Sequence, residues 1–125
     1  MYTITKQFHF SASHRLRNLP EDHPCSRQHG HNYIVEVVLR GETVTETEQW
    51  VRDYGDLKMM EIYIDKYLDH RDLNEHFAGV YTSSQVETTA EMLAWHLYTI
   101  FKGDYPELYA IRVSETPKTW AQYND

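Results

Sequence analysis

The chain of 125 residues sets 12 lysines and arginines against 19 aspartates and glutamates, a formal charge of -7, with 41% hydrophobic residues. That length fits one domain over residues 1–125 with enough core to fold without disulfides, and the acidic balance excludes broad binding to nucleic acid or anionic membrane, which needs a basic face. An anionic small molecule stays compatible only where a local cluster of Lys, Arg or His opposes the overall field.

Taken in order, Tyr2 to Phe10 alternates with Tyr2, Ile4, Phe8 and Phe10 on one side, the pattern of a half-buried strand. The connection that follows holds Asn18, Pro20, Asp22, His23 and Pro24, a loop composition that leaves Cys25 near the rim of any site built there. Residues 33 to 40 read as a second strand, and the acidic Gly41–Glu48 segment as a solvated hairpin end. From Leu57, the residues Met60, Ile64, Tyr67 and Leu68 recur at helical spacing with Asp56 as a candidate cap. Thr88 to Glu91 offers a capping box for a second helix carrying Met92, Leu93, Trp95, His96, Leu97 and Ile100. Strands at Ala110–Glu115 and Trp120–Tyr123, joined by a turn at Thr116–Lys118, complete the order ββααββ. This predicts an α+β domain, a four-stranded antiparallel sheet with two helices on one face, whose edge strands favour oligomerisation. The single cysteine forms no internal disulfide, and neither a leader pattern nor a run of ~20 apolar residues is present, which makes the cytoplasm the expected compartment.

Chemistry concentrates in three histidines. His29 and His31, either side of Gly30, point to the same face if the strand begins there, and His14, on a neighbouring strand, completes three imidazoles with an open position, the pattern of a catalytic zinc site. The ordinary alternative is three buried or capping histidines satisfied by backbone. Cys25 suits a base or nucleophile beside a metal, or a small buried residue. Asp69 and His70 suit an acid/base relay or a polar helix end, and a direct bond between them requires non-helical backbone. Glu115, at a strand end, can accept two hydrogen bonds from an amidine-like edge such as that of a pterin or guanine, or be a surface acid. His9, His23, His76 and His96 lack partners at ligand spacing and read as surface or packing residues.

Five segments then stand in order: Phe8–Leu16 with Ser11-Ala12-Ser13-His14, Cys25-x3-His29-Gly30-His31-Asn32-Tyr33, Asp53–Lys58, Leu68–Asn74 and Val113–Thr116. Together they resemble the successive motifs of the 6-pyruvoyltetrahydropterin synthase family. Three residues between the cysteine and His29 resemble its bacterial branch, the 6-carboxy-5,6,7,8-tetrahydropterin synthases of queuosine biosynthesis.

The resemblance implies a tunnelling fold whose sheets join between subunits into a barrel, a hexamer of two trimers with sites at the interfaces. It implies Zn2+ on His14, His29 and His31, Cys25 as base, Asp69 and His70 as proton relay, and Glu115 with Thr89 holding the pterin. The implied reaction converts 7,8-dihydroneopterin triphosphate to 6-carboxy-5,6,7,8-tetrahydropterin with release of acetaldehyde and triphosphate. A pyruvoyl-forming synthase or an enzyme acting on a related pterin, and a non-catalytic zinc and pterin-binding protein, are the alternatives. Met92 stands where the family commonly has asparagine, and Arg27, Arg71 and Lys118 are triphosphate candidates by charge.

Overall fold

The computed structural model describes residues 1–82 and 86–125. Strands β1 (Tyr2–His14), β2 (His29–Gly41), β3 (Leu108–Thr116) and β4 (Thr119–Tyr123) form one antiparallel sheet in the order β1-β2-β3-β4. Both early strands run past their apolar cores, because β1 and β2 pair without a break from Tyr2↔Gly41 to His14↔His29. Side chains alternate across that ladder, so Phe8, Phe10, Tyr33, Val35 and Val37 are buried on one face, whereas Gln7 donates to Glu36, and Arg112 to Glu36, on the other.

The helices cover the buried face. Two segments depart from the sequence expectation. Asp53, rather than Asp56, caps the first helical stretch: its carboxylate accepts from the Gly55 amide at 2.8 Å and starts a 3-10 turn over Tyr54–Leu57. Asp56 instead pairs with Arg52. Helix α1 (Lys58–Tyr63) then widens into a π turn, Ile64–Leu68, with Met60, Ile64 and Leu68 buried and Tyr67 exposed.

A further helix, α2 (Leu73–Val80), follows with Asp72 as its cap. It is too short, with only Leu73 and Phe77 buried, for its period to stand out in the sequence. Helix α3 (Ala90–Phe101) lies across β3 and β4 and buries Leu93, Ala94, Leu97 and Phe101. Its cap is Thr89, whose hydroxyl accepts from the Met92 amide at 3.2 Å. The cap therefore sits one residue later than expected, and Met92 three residues on offers no reciprocal bond, so no capping box forms. Thr88 is released from capping and fully buried.

Candidate metal centre and active site

Register brings the three histidines together. His14 lies opposite His29, His31 follows two residues on, and directly paired or alternate residues share a face. Their candidate ligand atoms lie within 4.8 Å of one another, the only such cluster among the described residues.

Hydrogen bonds decide which ring nitrogens are available. The Nδ1 of His14 meets the Thr88 carbonyl at 2.9 Å, and that of His29 meets the Arg27 carbonyl at 2.7 Å. A carbonyl only accepts, so both Nδ1 atoms carry hydrogen and both Nε2 lone pairs are bare. The Nε2 atoms of His14 and His31 are buried without a hydrogen-bond partner. Burial, reinforced by the two neighbouring imidazoles, pulls His14 down to about 4, against a smaller raising effect of the Thr88 carbonyl. The ring is neutral and ligand-ready at neutral pH. An orphaned buried nitrogen on a carbonyl-oriented ring, as in His14, fits a metal ion, and three imidazoles leave positions open for another ligand.

The Asp69–His70 pair reaches the same end of the sheet by way of the π turn. The Asp69 amide donates to the Ile64 carbonyl at 2.8 Å, closing that turn, after which the backbone becomes extended at Asp69 and left-handed at His70, with φ 58°. The chain then lies beside the free edge of β1. Ser11 donates its amide to the Asp69 carboxylate at 3.0 Å, His70 donates to the Ser11 carbonyl, and Ser13 donates to the Arg71 carbonyl. This non-helical backbone allows the adjacent side chains to meet, and His70 Nδ1 is 2.9 Å from Asp69 Oδ2. The Ser11 amide first, and the His70 hydrogen bond second, hold the Asp69 carboxyl below its ordinary range. His70 projects outward with its side chain 83% exposed, yet shares a cleft of about 480 Å3 with His31, Asn32 and Arg71.

Glu115 lies on the opposite flank, with Oε2 3.8 Å from His31 Nε2. It lines a second cleft with Thr89, Val113 and Trp120. Thr89 uses a lone pair for the cap and keeps its hydroxyl hydrogen for another acceptor. Met92 packs against the core, so the side chain at this position makes no polar contact there. Cys25 sits on the Pro24–Ser26 turn, whose backbone is tied to the end of β1 by a 2.8 Å hydrogen bond from the Leu16 amide to the Cys25 carbonyl.

Two partners escaped sequence reasoning. Thr88 was hidden inside an apparent capping box, and Tyr33, whose buried hydroxyl has no partner, read simply as a core strand position. Burial, with a smaller push from Glu115, raises the Tyr33 hydroxyl far above its usual range.

The family profile described as 6-pyruvoyl tetrahydropterin synthase matches residues 3–125. The chain belongs to this family. A Drosophila melanogaster 6-pyruvoyl tetrahydrobiopterin synthase is 34% identical over 96% of the chain and 77% of the relative. An Archaeoglobus fulgidus protein with a provisional 6-carboxy-5,6,7,8-tetrahydropterin synthase name is 29% identical over 90% of the chain and 87% of its own length. The Caenorhabditis elegans 6-pyruvoyl tetrahydropterin synthase structure superimposes with a TM-score of 0.84 at 30% identity, covering 99% of this chain and 95% of that one. Family membership accounts for the tunnelling-fold sheet.

Proposed function

We propose that the protein is a zinc-dependent lyase that converts 7,8-dihydroneopterin triphosphate and one water to 6-carboxy-5,6,7,8-tetrahydropterin, cleaving a side-chain carbon–carbon bond and releasing acetaldehyde and triphosphate, in queuosine or other 7-deazapurine biosynthesis. The observation that carries the reading is the trio of imidazoles, two of them oriented by backbone carbonyls, flanked by the Asp69–His70 pair on one side and Glu115 on the other.

A bound Zn2+ supplies Lewis-acid polarisation of the side-chain hydroxyls and lowers their pKa. Glu115 accepts the amidine-like edge of the pterin, and Thr89 donates its hydroxyl hydrogen within the same cleft. The Cys25 thiolate removes a carbon-bound proton from the substrate side chain. On the other flank, Asp69 holds the Nδ1 hydrogen of His70, leaving Nε2 to accept and return protons as the ring is reduced and the side chain oxidised. The redox change is internal to the substrate and requires no nicotinamide.

The carboxy-forming outcome is supported by the short Cys25-to-His29 connection, a single 3-10 turn followed by two residues. The relatives named 6-pyruvoyl tetrahydrobiopterin synthase favour a second reading, triphosphate elimination to a pyruvoyl side chain. Intact Cys25, Asp69 and His70 speak against a binding-only protein, which needs none of the three. The exposed His70 and the open edge of β4 support assembly of the sheets into a barrel of six subunits that encloses the site.

Incubation of the zinc-loaded protein with 7,8-dihydroneopterin triphosphate, followed by mass spectrometry, is expected to yield 6-carboxytetrahydropterin with acetaldehyde. A pyruvoyl product would transfer the protein to the second reading, and intact substrate beside fully bound zinc would defeat both. Cys25→Ala is expected to abolish turnover and retain the metal.

A further inference from the structure

The three helices are joined by a chain of polar groups that the chemistry above does not use. Tyr81, the C-cap of α2, meets Nδ1 of His96 in α3. Nε2 of the same ring lies 2.7 Å from the Tyr63 hydroxyl of α1, which in turn lies 2.6 Å from Nε2 of His76 in α2. Apolar burial holds α2 only weakly. Leu73 and Phe77 are its buried residues, and Phe77 lays its ring against His96 and Tyr81, with centroids 5.0 and 5.3 Å away.

The number of hydrogens limits what this chain tolerates. A tyrosine hydroxyl has one hydrogen to give, a neutral imidazole has one N–H and one lone pair, and an imidazolium has two N–H groups and no lone pair. With both imidazoles neutral, each of the three contacts receives one hydrogen, whichever way the chain points. One added proton still fits: a charged His76 donates to Tyr63, Tyr63 donates to His96, and His96 donates to Tyr81. A second does not. Tyr63 would then face an N–H on both sides with no acceptor for its own hydrogen, and two like charges would stand with ring centroids 6.0 Å apart.

The surroundings do not compensate. His96 is fully buried against Phe77 and the two tyrosines, and its charged neighbour is His76. His76 shares a cleft of about 360 Å3 with Tyr67 and Lys66 of the π turn and with Arg71, Asp72 and Glu75, two cations against two carboxylates. Burial lowers both imidazoles, and His76 pushes His96 down further, to about 4. Helix α2 in turn is fastened to the sheet beside the metal centre. The Asn74 side chain accepts from the Arg15 amide at 2.8 Å and donates to the Arg15 carbonyl at 3.0 Å, and Asp72 bridges to Ser13.

We infer that Tyr63, His76, Tyr81 and His96 form an acid-operated latch, which stays closed with one added proton or none, opens at the second, and on opening releases α2 and its hold on the end of β1. Opening returns each imidazole to its ordinary value of 6.5. The open form therefore binds more protons than the closed one and is favoured as pH falls from 6.5 towards 4.

Hydrogen exchange of the zinc-loaded full-length protein, followed by mass spectrometry and corrected for intrinsic rates, tests the inference. Protection of the α2 amides is expected to fall at least about tenfold between about pH 7 and about pH 5, while α3 and β2 keep theirs. Because β2 carries His29 and His31, its protection reports in the same spectra that the sheet around the metal is intact. His76→Gln supplies a carbonyl that accepts the Tyr63 hydrogen and never charges, so His96 can take a proton with all three contacts kept. Opening should then move about one unit to lower pH, a shift opposite to that of a folding defect, which exposes α2 at every pH. His96→Phe should remove the pH dependence. Protection of α2 that does not change with pH, loss of α2 and β2 together, or opening of His76→Gln at the parent's pH or above it overturns the latch.

Discussion

The molecule contains two clusters built around histidine, and they differ in how their nitrogens are satisfied. In the sheet, His14 and His31 present buried Nε2 atoms with no hydrogen-bond partner among the described residues. In the helical layer, His96 is equally buried, but Tyr63 meets its Nε2 at 2.7 Å and Tyr81 meets its Nδ1, while Tyr63 also reaches His76 Nε2 at 2.6 Å. Burial is the main force lowering both His14 and His96 to about 4. A depressed histidine pKa therefore does not distinguish a ligand from a structural residue, whereas an orphaned nitrogen does. A fold that buries a polar atom and leaves it unpaired carries a cost of about 1–3 kcal/mol, which a metal ion can recover.

The comparison is broken most severely at the ligands. His31→Ala or His29→Ala should lower metal affinity by at least about 100-fold and turnover with it, as read from metal content after dialysis. Equal metal content in both variants would remove the histidine trio as the binding site. The corresponding change in the other cluster, His96→Phe, strands the Tyr81 hydroxyl, leaves Tyr63 with His76 alone, and should destabilise the fold by about 1–3 kcal/mol in urea melts while metal stoichiometry is unchanged.

Acid sharpens the contrast. His96 has an ordinary value of 6.5 and a folded value of about 4, so the unfolded chain binds the extra proton between them. Its contribution is fully favourable above pH 6.5 and is lost as pH falls towards 4, amounting to about 3 kcal/mol across that window. The metal-loaded protein should show this acid slope, and His96→Phe should flatten it. An unaltered slope would show that the Tyr63–His96–Tyr81 chain is not its source. The smallest effect is expected from Thr88→Val, which removes the hydroxyl 3.0 Å from His14 Nδ1 and keeps the carbonyl at 2.9 Å. Metal affinity should fall by no more than about tenfold, since the carbonyl alone still sets the tautomer.

Much of this arrangement was legible in the sequence. Alternation located the sheet, the Gly30-centred pair predicted two imidazoles on one face, and the ordered motifs indicated the family. His76 and His96 read in the sequence only as surface or packing residues; the structure packs both against tyrosines that nothing in the spacing reveals. What escaped depends on contacts distant in the chain. Thr88 engages His14 across 74 positions, and its neighbour Thr89 takes over the cap, a competition that local preference cannot rank. Helix α2 is short and stabilised by its cap and two apolar anchors.

The π turn at Ile64–Leu68 gives the molecule a reading frame. It holds one residue more per hydrogen-bonded loop than an α-helix does, and π turns of this kind often mark functional sites. Deleting a single residue there would let the segment close as ordinary helix, turning everything beyond by about 100° and shortening its advance by ~1.5 Å. Leu68 and the core have neighbours that can adjust, but the Asp69 carboxylate has one amide to meet, that of Ser11. One residue of length thus separates a chain that folds from a chain whose carboxylate–imidazole pair faces its chemistry.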